Sequence, residues 1–185
     1  MDSAKVSAAK PKTTGAVFCA PLGTAMPTDA VTALSTDYLP LGYVSEDGVS
    51  NSNSPSSSST KAWGGDVVLD SQTEKADTFK IPLIEAMNIN VLKLVYGDEN
   101  VTGKLEEGIK VTANRTEAAQ KVIVVDMILK DAVKRIVIPR AKLVEIDEIA
   151  YVDGKPISYG AKFSAAPDKD GNTHYEYIKA NSTAN

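Results

Sequence analysis

Gly48-Val49-Ser50-Asn51-Ser52-Asn53-Ser54-Pro55-Ser56-Ser57-Ser58-Ser59-Thr60 lies between two runs of β character, residues 38–44 and 62–70. How this stretch is read decides the fold. Connections inside compact domains usually take about 4–6 residues, and much longer ones are functional or disordered. A tract this polar is a linker, a disordered excursion, or a surface that a partner orders. The linker reading is weak, because Trp63, Val67, Val68 and Leu69 follow at once and nothing before Gly48 is large enough to be a domain alone. The stretch therefore reads as a long inter-strand loop, residues 45–60, within one domain. A tract tethered at both ends adds loop-closure cost and offers itself to proteases, so its presence suggests that something orders it.

Outward from the loop, the chain reads as short strands. Gly64-Gly65 beside Trp63 suggests a bulge. From Asp66 the residues alternate, which puts Asp66, Asp70, Gln72 and Glu74 on one wet, acidic face and Val67, Leu69 and Thr73 on the other. In residues 78–85, Phe79, Ile81 and Leu83 share a face. A helix follows: Asn88 or Asn90 can cap it, Val91 and Val95 are four apart, as are Leu92 and Tyr96, and Gly97 suits the position past its end. Residues 102–117 are polar and read as a weak strand or loop. The strongest β signal is residues 121–129, answered across Lys130-Asp131-Ala132 by 133–138, with Pro139 as its expected end. Residues 141–152 read as a further strand, Asp153-Gly154 as a hairpin turn, and 157–163 and 173–178 as the last strands. Before the loop, residues 15–22 form a first strand, and Thr28-Asp29-Ala30 opens a short amphipathic turn with Val31, Leu34 and Leu39 as core candidates. The fold class is α+β, mainly β: a β-sandwich or barrel with one flanking helix and a long inter-strand loop. A flexible arm, residues 1–14, precedes a single domain, 15–179, and a short tail, 180–185, follows it.

Composition narrows the function. The 185 residues carry a formal net charge of −4, with 43% hydrophobic residues, as a globular domain does. No excess of Lys and Arg exists to neutralise phosphates, so nucleic-acid binding by charge is disfavoured. No apolar stretch is long enough to span a bilayer, and no signal-peptide core opens the chain, so residence in a cytoplasm is expected. One cysteine, Cys19, allows no internal disulfide, and one histidine, His174, leaves little for acid–base or metal chemistry. No Gly-x-Ser-x-Gly, P-loop, His-Glu-x-x-His or paired-Cys motif occurs. His174 reads as an ordinary strand residue and Cys19 as a small buried one. Asp168-Lys169-Asp170-Gly171-Asn172 has part of a calcium-loop spacing but lacks the distal Glu, and reads as a turn.

Several stretches carry a resemblance. Leu41-Gly42-Tyr43-Val44-Ser45-Glu46-Asp47-Gly48-Val49-Ser50-Asn51-Ser52, Lys61-Ala62-Trp63-Gly64-Gly65-Asp66, Val91-Leu92-Lys93-Leu94-Val95-Tyr96-Gly97 and Asp170-Gly171-Asn172-Thr173-His174-Tyr175-Glu176-Tyr177 resemble the major tail (tail tube) proteins of phages with long non-contractile tails. The likeness runs from about Ala16 to Ile178. It implies a structural virion protein without catalysis or cofactor. Six copies would close into a ring whose inner sheets form a continuous barrel, and rings would stack into a tube that conducts DNA during ejection. The loop would reach an adjacent subunit or ring through Ser45, Glu46, Asp47, Val49, Asn51, Asn53 and Pro55, with Trp63 beyond it. Ring closure pairs strand edges that otherwise invite aggregation. Tape-measure, tail-tip and tail-terminator proteins are the implied partners. DNA would pass without specific binding, and no membrane is involved.

Asp66, Asp70 and Glu74 are the expected lumen face. Six subunits at −4 give 6 × −4 = −24 per ring, and a like-charged wall keeps a polyanion from sticking. The alternative reading is a monomeric β-sandwich that binds a ligand such as carbohydrate on a platform of Trp63, Tyr159, Tyr175 and Tyr177. A hydrolase using His174 with Asp170 has least support.

Overall fold

The computed structural model describes residues 3–12 and 15–181. Its strands are β1 (Lys10–Pro11), β2 (Val17–Pro21), β3 (Leu39–Pro40), β4 (Ser50–Lys61), β5 (Val67–Leu83), β6 (Val101–Lys104), β7 (Gly108–Val111), β8 (Lys121–Ile128), β9 (Ala132–Ile146), β10 (Tyr159–Ala165) and β11 (Tyr175–Ala180). One helix, α1 (Ile89–Tyr96), interrupts them. Strands take 47% of the described residues and helix, short 3-10 turns included, 7%, so the fold is mainly β with one α-helix, as expected.

β8 explains the run that gives the strongest signal. Val122 and Val124 face one apolar cluster, with Ala20, Tyr38 and Val137, while Ile123 and Val125 face the main core. A strand covered on both faces has no wet side, so it reads as continuous Val and Ile rather than an alternation. Where β8 leaves the smaller cluster, Asp126 and Arg135 form a buried bidentate pair, Nε to Oδ1 at 2.6 Å and Nη2 to Oδ2 at 2.8 Å. The two Nη1 N–H groups of Arg135 bond the carbonyls of Asp29 and Thr32, at 3.1 and 2.8 Å. The segment between β2 and β3 is thereby pinned over the sheet by a charge as well as by Leu34 and Tyr38, which pack on the smaller cluster.

The main sheet runs β3-β2-β8-β9-β10-β5-β4, with every pairing antiparallel. β9 divides it. Its first half has β8 on one side and β11 on the other, while Ala141 to Ile146 pairs with β10. From there β10 and β5 align Phe163 with Phe79 and Ala161 with Ile81, all buried in the main core. α1 closes that core with Val91, Leu92, Leu94 and Val95. Asn88 caps it by accepting from the Asn90 backbone N–H at 2.9 Å, and the Gly97 N–H donates to the Lys93 carbonyl at φ +95°, where a side chain is strained. β6 and β7 form a separate two-stranded hairpin beside it.

Four expectations change. The stretch read as a loop, residues 45–60, is a strand for most of its length, and β4 and β5 make one long antiparallel hairpin. A ladder is held by backbone bonds, so a tract of Ser and Asn can join it once a partner strand is present. Gly64-Gly65 is not a bulge but the tip of that hairpin, where the Gly65 N–H donates to the Ala62 carbonyl at 3.0 Å. Pro139 does not end its strand: the register shifts opposite Val122, and β9 runs through this bulge, where a missing N–H is tolerated. Residues 147–158 are then a loop rather than strand, with Asp153-Gly154 a turn inside it.

Of the core candidates, Leu34 packs on the smaller cluster, but Val31 and Leu39 are exposed and Tyr38 and Leu41 are buried in their place. No helical turn forms at residues 28–30; Asp29 instead accepts from the Val31 and Thr32 N–H groups, at 2.7 and 2.6 Å. In the arm expected over residues 1–14, Lys10 and Pro11 pair with Ile128 and Met127, and residues 1, 2, 13 and 14 lie outside the described residues. Of the expected tail, Ala180 belongs to β11 and residues 182–185 lie outside the described residues.

Candidate functional site

The β4–β5 hairpin leaves the body as an arm. Every residue from 50 to 72, together with 75 and 76, is exposed. Strand residues 67–76, at about 3.4 Å each, span roughly 34 Å. At its tip Trp63 is fully exposed at 107%, and Val67, Val68 and Leu69 are all more than half exposed. Apolar side chains gathered at the end of an otherwise Ser-rich ribbon contribute nothing to the subunit's own core, and such a patch marks a contact surface.

The structure places the expected contact residues at three levels of this arm. Ser45, Glu46 and Asp47 form the turn at its foot, where the Ser45 N–H donates to the Pro82 carbonyl at 2.9 Å and the Gly48 N–H to the Ser45 carbonyl at 3.0 Å. Val49 is half-buried and packs against the main core. Asn51 and Asn53 stand at the root, the latter opposite Asp77, and Pro55 pairs with Lys75 further out. Trp63 is at the tip.

The acidic trio does not share one face. Asp66 lies in the tip turn, Asp70 pairs with Ser59, and Glu74 pairs with Ser56. Ser56 and Ser59 are an odd number apart on β4, and the register shift between Ser56 and Ser57 absorbs the extra residue on β5. Positions 70 and 74 therefore fall on opposite sides of the pleat. A bulge has no signature in the alternation itself, so the sequence pattern carries straight through it.

At the root is a site that sequence reasoning missed. Asp77 is 3% exposed and accepts from Asn51 Nδ2 at 2.7 Å through Oδ1. Its Oδ2 accepts from Thr173 Oγ1 and lies against His174 Nδ1, both at 2.6 Å. Burial raises the carboxyl's pKa, but the bonds from Thr173, Asn51 and His174 outweigh it and hold the group below its ordinary value. His174 is thus not an ordinary strand residue: it precedes β11, and its ring meets Phe79 edge to face with centroids 5.2 Å apart. Its carboxylate partner is Asp77, not the Asp170 of the hydrolase reading. The one available signal was the string Asn51, Asp77, Thr173, His174 of polar residues flanking strong strands, which no spacing rule joins.

The aromatic platform is not assembled either. Tyr159 is buried at 5%, Trp63 is at the arm tip, and only Tyr175 and Tyr177 stack together, with centroids 6.3 Å apart. Asp168 takes part in its own turn, accepting from the Asp170 and Asn172 N–H groups at 2.9 and 3.0 Å and from the Tyr175 hydroxyl. Among the described residues no group of three His, Cys, Asp or Glu side chains is placed to hold a metal ion. No described helix is long and apolar enough to cross a membrane.

An antiparallel body that holds out a long polar hairpin with an apolar tip is built for contact with another surface. In agreement, the sequence matches the family described as phage tail tube protein over residues 3–185. The chain belongs to that family. It is a structural component of the phage virion that assembles into a tail tube. No curated protein matches the sequence. In a tail tube protein, the features to explain are edges and arms, and this chain has both.

Proposed function

We propose that six copies of this chain close into a ring by pairing strand edges, that rings stack through the β4–β5 arm, and that the resulting tube conducts DNA during ejection. The observation that carries the reading is a pair of open edges. The half-sheet β4-β5-β10-β9 ends on one side at β4 and on the other at residues 142–146 of β9, which among the described residues have only β5 and only β10, respectively, as ladder partner. Open edges at both ends of one sheet invite the same sheet of another copy, and such head-to-tail pairing closes a ring when the rotation allows. The half-sheet's uncovered face would line the channel. Three of its lysines have a carboxylate: Lys80 with Asp147 at 2.7 Å, Lys162 with Glu145 at 3.1 Å and Lys142 with Glu117 at 2.5 Å. A lysine held by a carboxylate offers less free positive charge to a phosphate backbone.

The remaining contacts follow from the same reading. Ser45, Glu46, Asp47, Val49, Asn51, Asn53, Pro55 and Trp63 belong to the arm or its foot and meet neighbouring copies, while tape-measure, tip and terminator proteins occupy the lumen and ends of the tube. Assembly takes place in the host cytoplasm. Cysteine pairs with one member at 50–53 and the other at 142–146 test the ring. Oxidation is expected to give a ladder of covalent oligomers that stops at six, and a population that stops at two, or crosslinks only through other edges, overturns it.

A further inference from the structure

We propose that Asp77 is a positioning residue that aims the arm. The inference rests on the reading of the arm as the ring-stacking contact. A two-stranded ribbon is marginal by itself and turns easily about its root. Here one buried carboxylate ties three separate segments at that root: β4 through Asn51, β5 through its own backbone, and the turn before β11 through Thr173 and His174. Asn51 adds a second bond, from Nδ2 to the Thr78 carbonyl at 3.1 Å. His174 is in turn fixed against Phe79, which is 1% exposed in the main core. The arm's first residues are therefore locked to the body by polar bonds where its outer part has no apolar anchorage. No buried side-chain nitrogen or oxygen among the described residues is left without a partner, so the joint is fully satisfied. A satisfied buried polar network specifies one geometry, because any other leaves a charge unpaired. An arm aimed in advance loses less conformational freedom when it docks.

The test reads the arm's angle and its use separately. Spin labels on S58C, in β4, and E106C, in the turn between β6 and β7, report the arm–body distance. Cys19 stays out of the reaction near neutral pH because it is buried and its thiol is pushed up to about 11. The otherwise native protein is expected to show one narrow distance distribution. Asp77→Asn and Thr173→Val are each expected to broaden it while the body stays folded by circular dichroism, and to slow elongation from preformed tubes about tenfold, the effect of losing one charge-assisted bond. Should Asp77→Asn fail to fold, Thr173→Val decides. An unchanged narrow distribution in a folded variant overturns the joint, and a broadened distribution with normal elongation overturns its role in aiming. If the native chain forms no tubes, the distance measurement still tests the joint, and only the tube reading falls.

Discussion

Asp77 shows how a single residue's surroundings set a pH response. Three hydrogen bonds favour its charged form in the folded state, so its pKa lies below the unfolded value. A lowered carboxylate pKa contributes stability that is fully present above the unfolded value and is lost as the pH falls through the folded one. Denaturant midpoints of the native chain and of Asp77→Asn are therefore expected to differ at pH 7, and the gap to close as the pH drops from about 5 toward 2. A gap that stays constant over that range would show that the charge on Asp77 does not matter. The Asp126–Arg135 pair makes a contrasting case. It is equally buried, yet its extra donors go to the backbone of residues 29 and 32, so it holds a covering segment rather than a joint.

At the scale of the element, the arm separates stability from assembly. Trp63, Val67, Val68 and Leu69 make no contribution to the core of the subunit that carries them. Trp63→Ala is expected to change the urea unfolding of the monomer by less than about 0.5 kcal/mol, as exposed substitutions do. The same change is expected to raise the concentration needed for tube growth roughly tenfold or more, because a large aromatic that becomes buried at a contact is a common hot spot. Light scattering of the growing tube and urea melts of the monomer check the two halves. Equal tube growth in the variant would mean that the tip docks nowhere. The hairpin also meets an old hazard of β proteins: an exposed two-stranded edge invites indiscriminate pairing. Pro55, which lacks an N–H, and the charged Lys61, Asp70 and Lys75 limit it here.

For the whole molecule, charge decides how readily copies meet. The subunit carries −4 and a pI near 5.1, so identical copies repel one another at neutral pH. The Debye length falls from roughly 14 Å at 0.05 M salt to about 4 Å at 0.5 M, which removes most of that repulsion. Tube growth at pH 7 is expected to quicken over this range, because the contacts proposed for the tip are apolar and those for the edges are backbone bonds. Growth that slows with salt would point to ion pairs across the interface. The β9 strand passes from a half flanked by β8 and β11 to a half, residues 142–146, that among the described residues has β10 as its ladder partner.

The sequence by itself determined the class of fold, the helix with Gly97 past its end, the β8–β9 hairpin and the family, and left the structure to choose Asn88 over Asn90 as the cap. Each of these rests on local signals: a cap two to four residues from its partner, a run of Val and Ile, a turn between two strands. The tertiary structure alone decided that the Ser-rich stretch is a strand, because a ladder is built from backbone groups that every residue carries and depends on whether a partner lies alongside. It alone decided that Asp70 and Glu74 part company, because one bulged residue reverses the parity of every position beyond it. And it alone brought Asn51, Asp77, Thr173 and His174 together, across as much as 123 residues of chain, since a buried carboxylate finds its donors by distance in space.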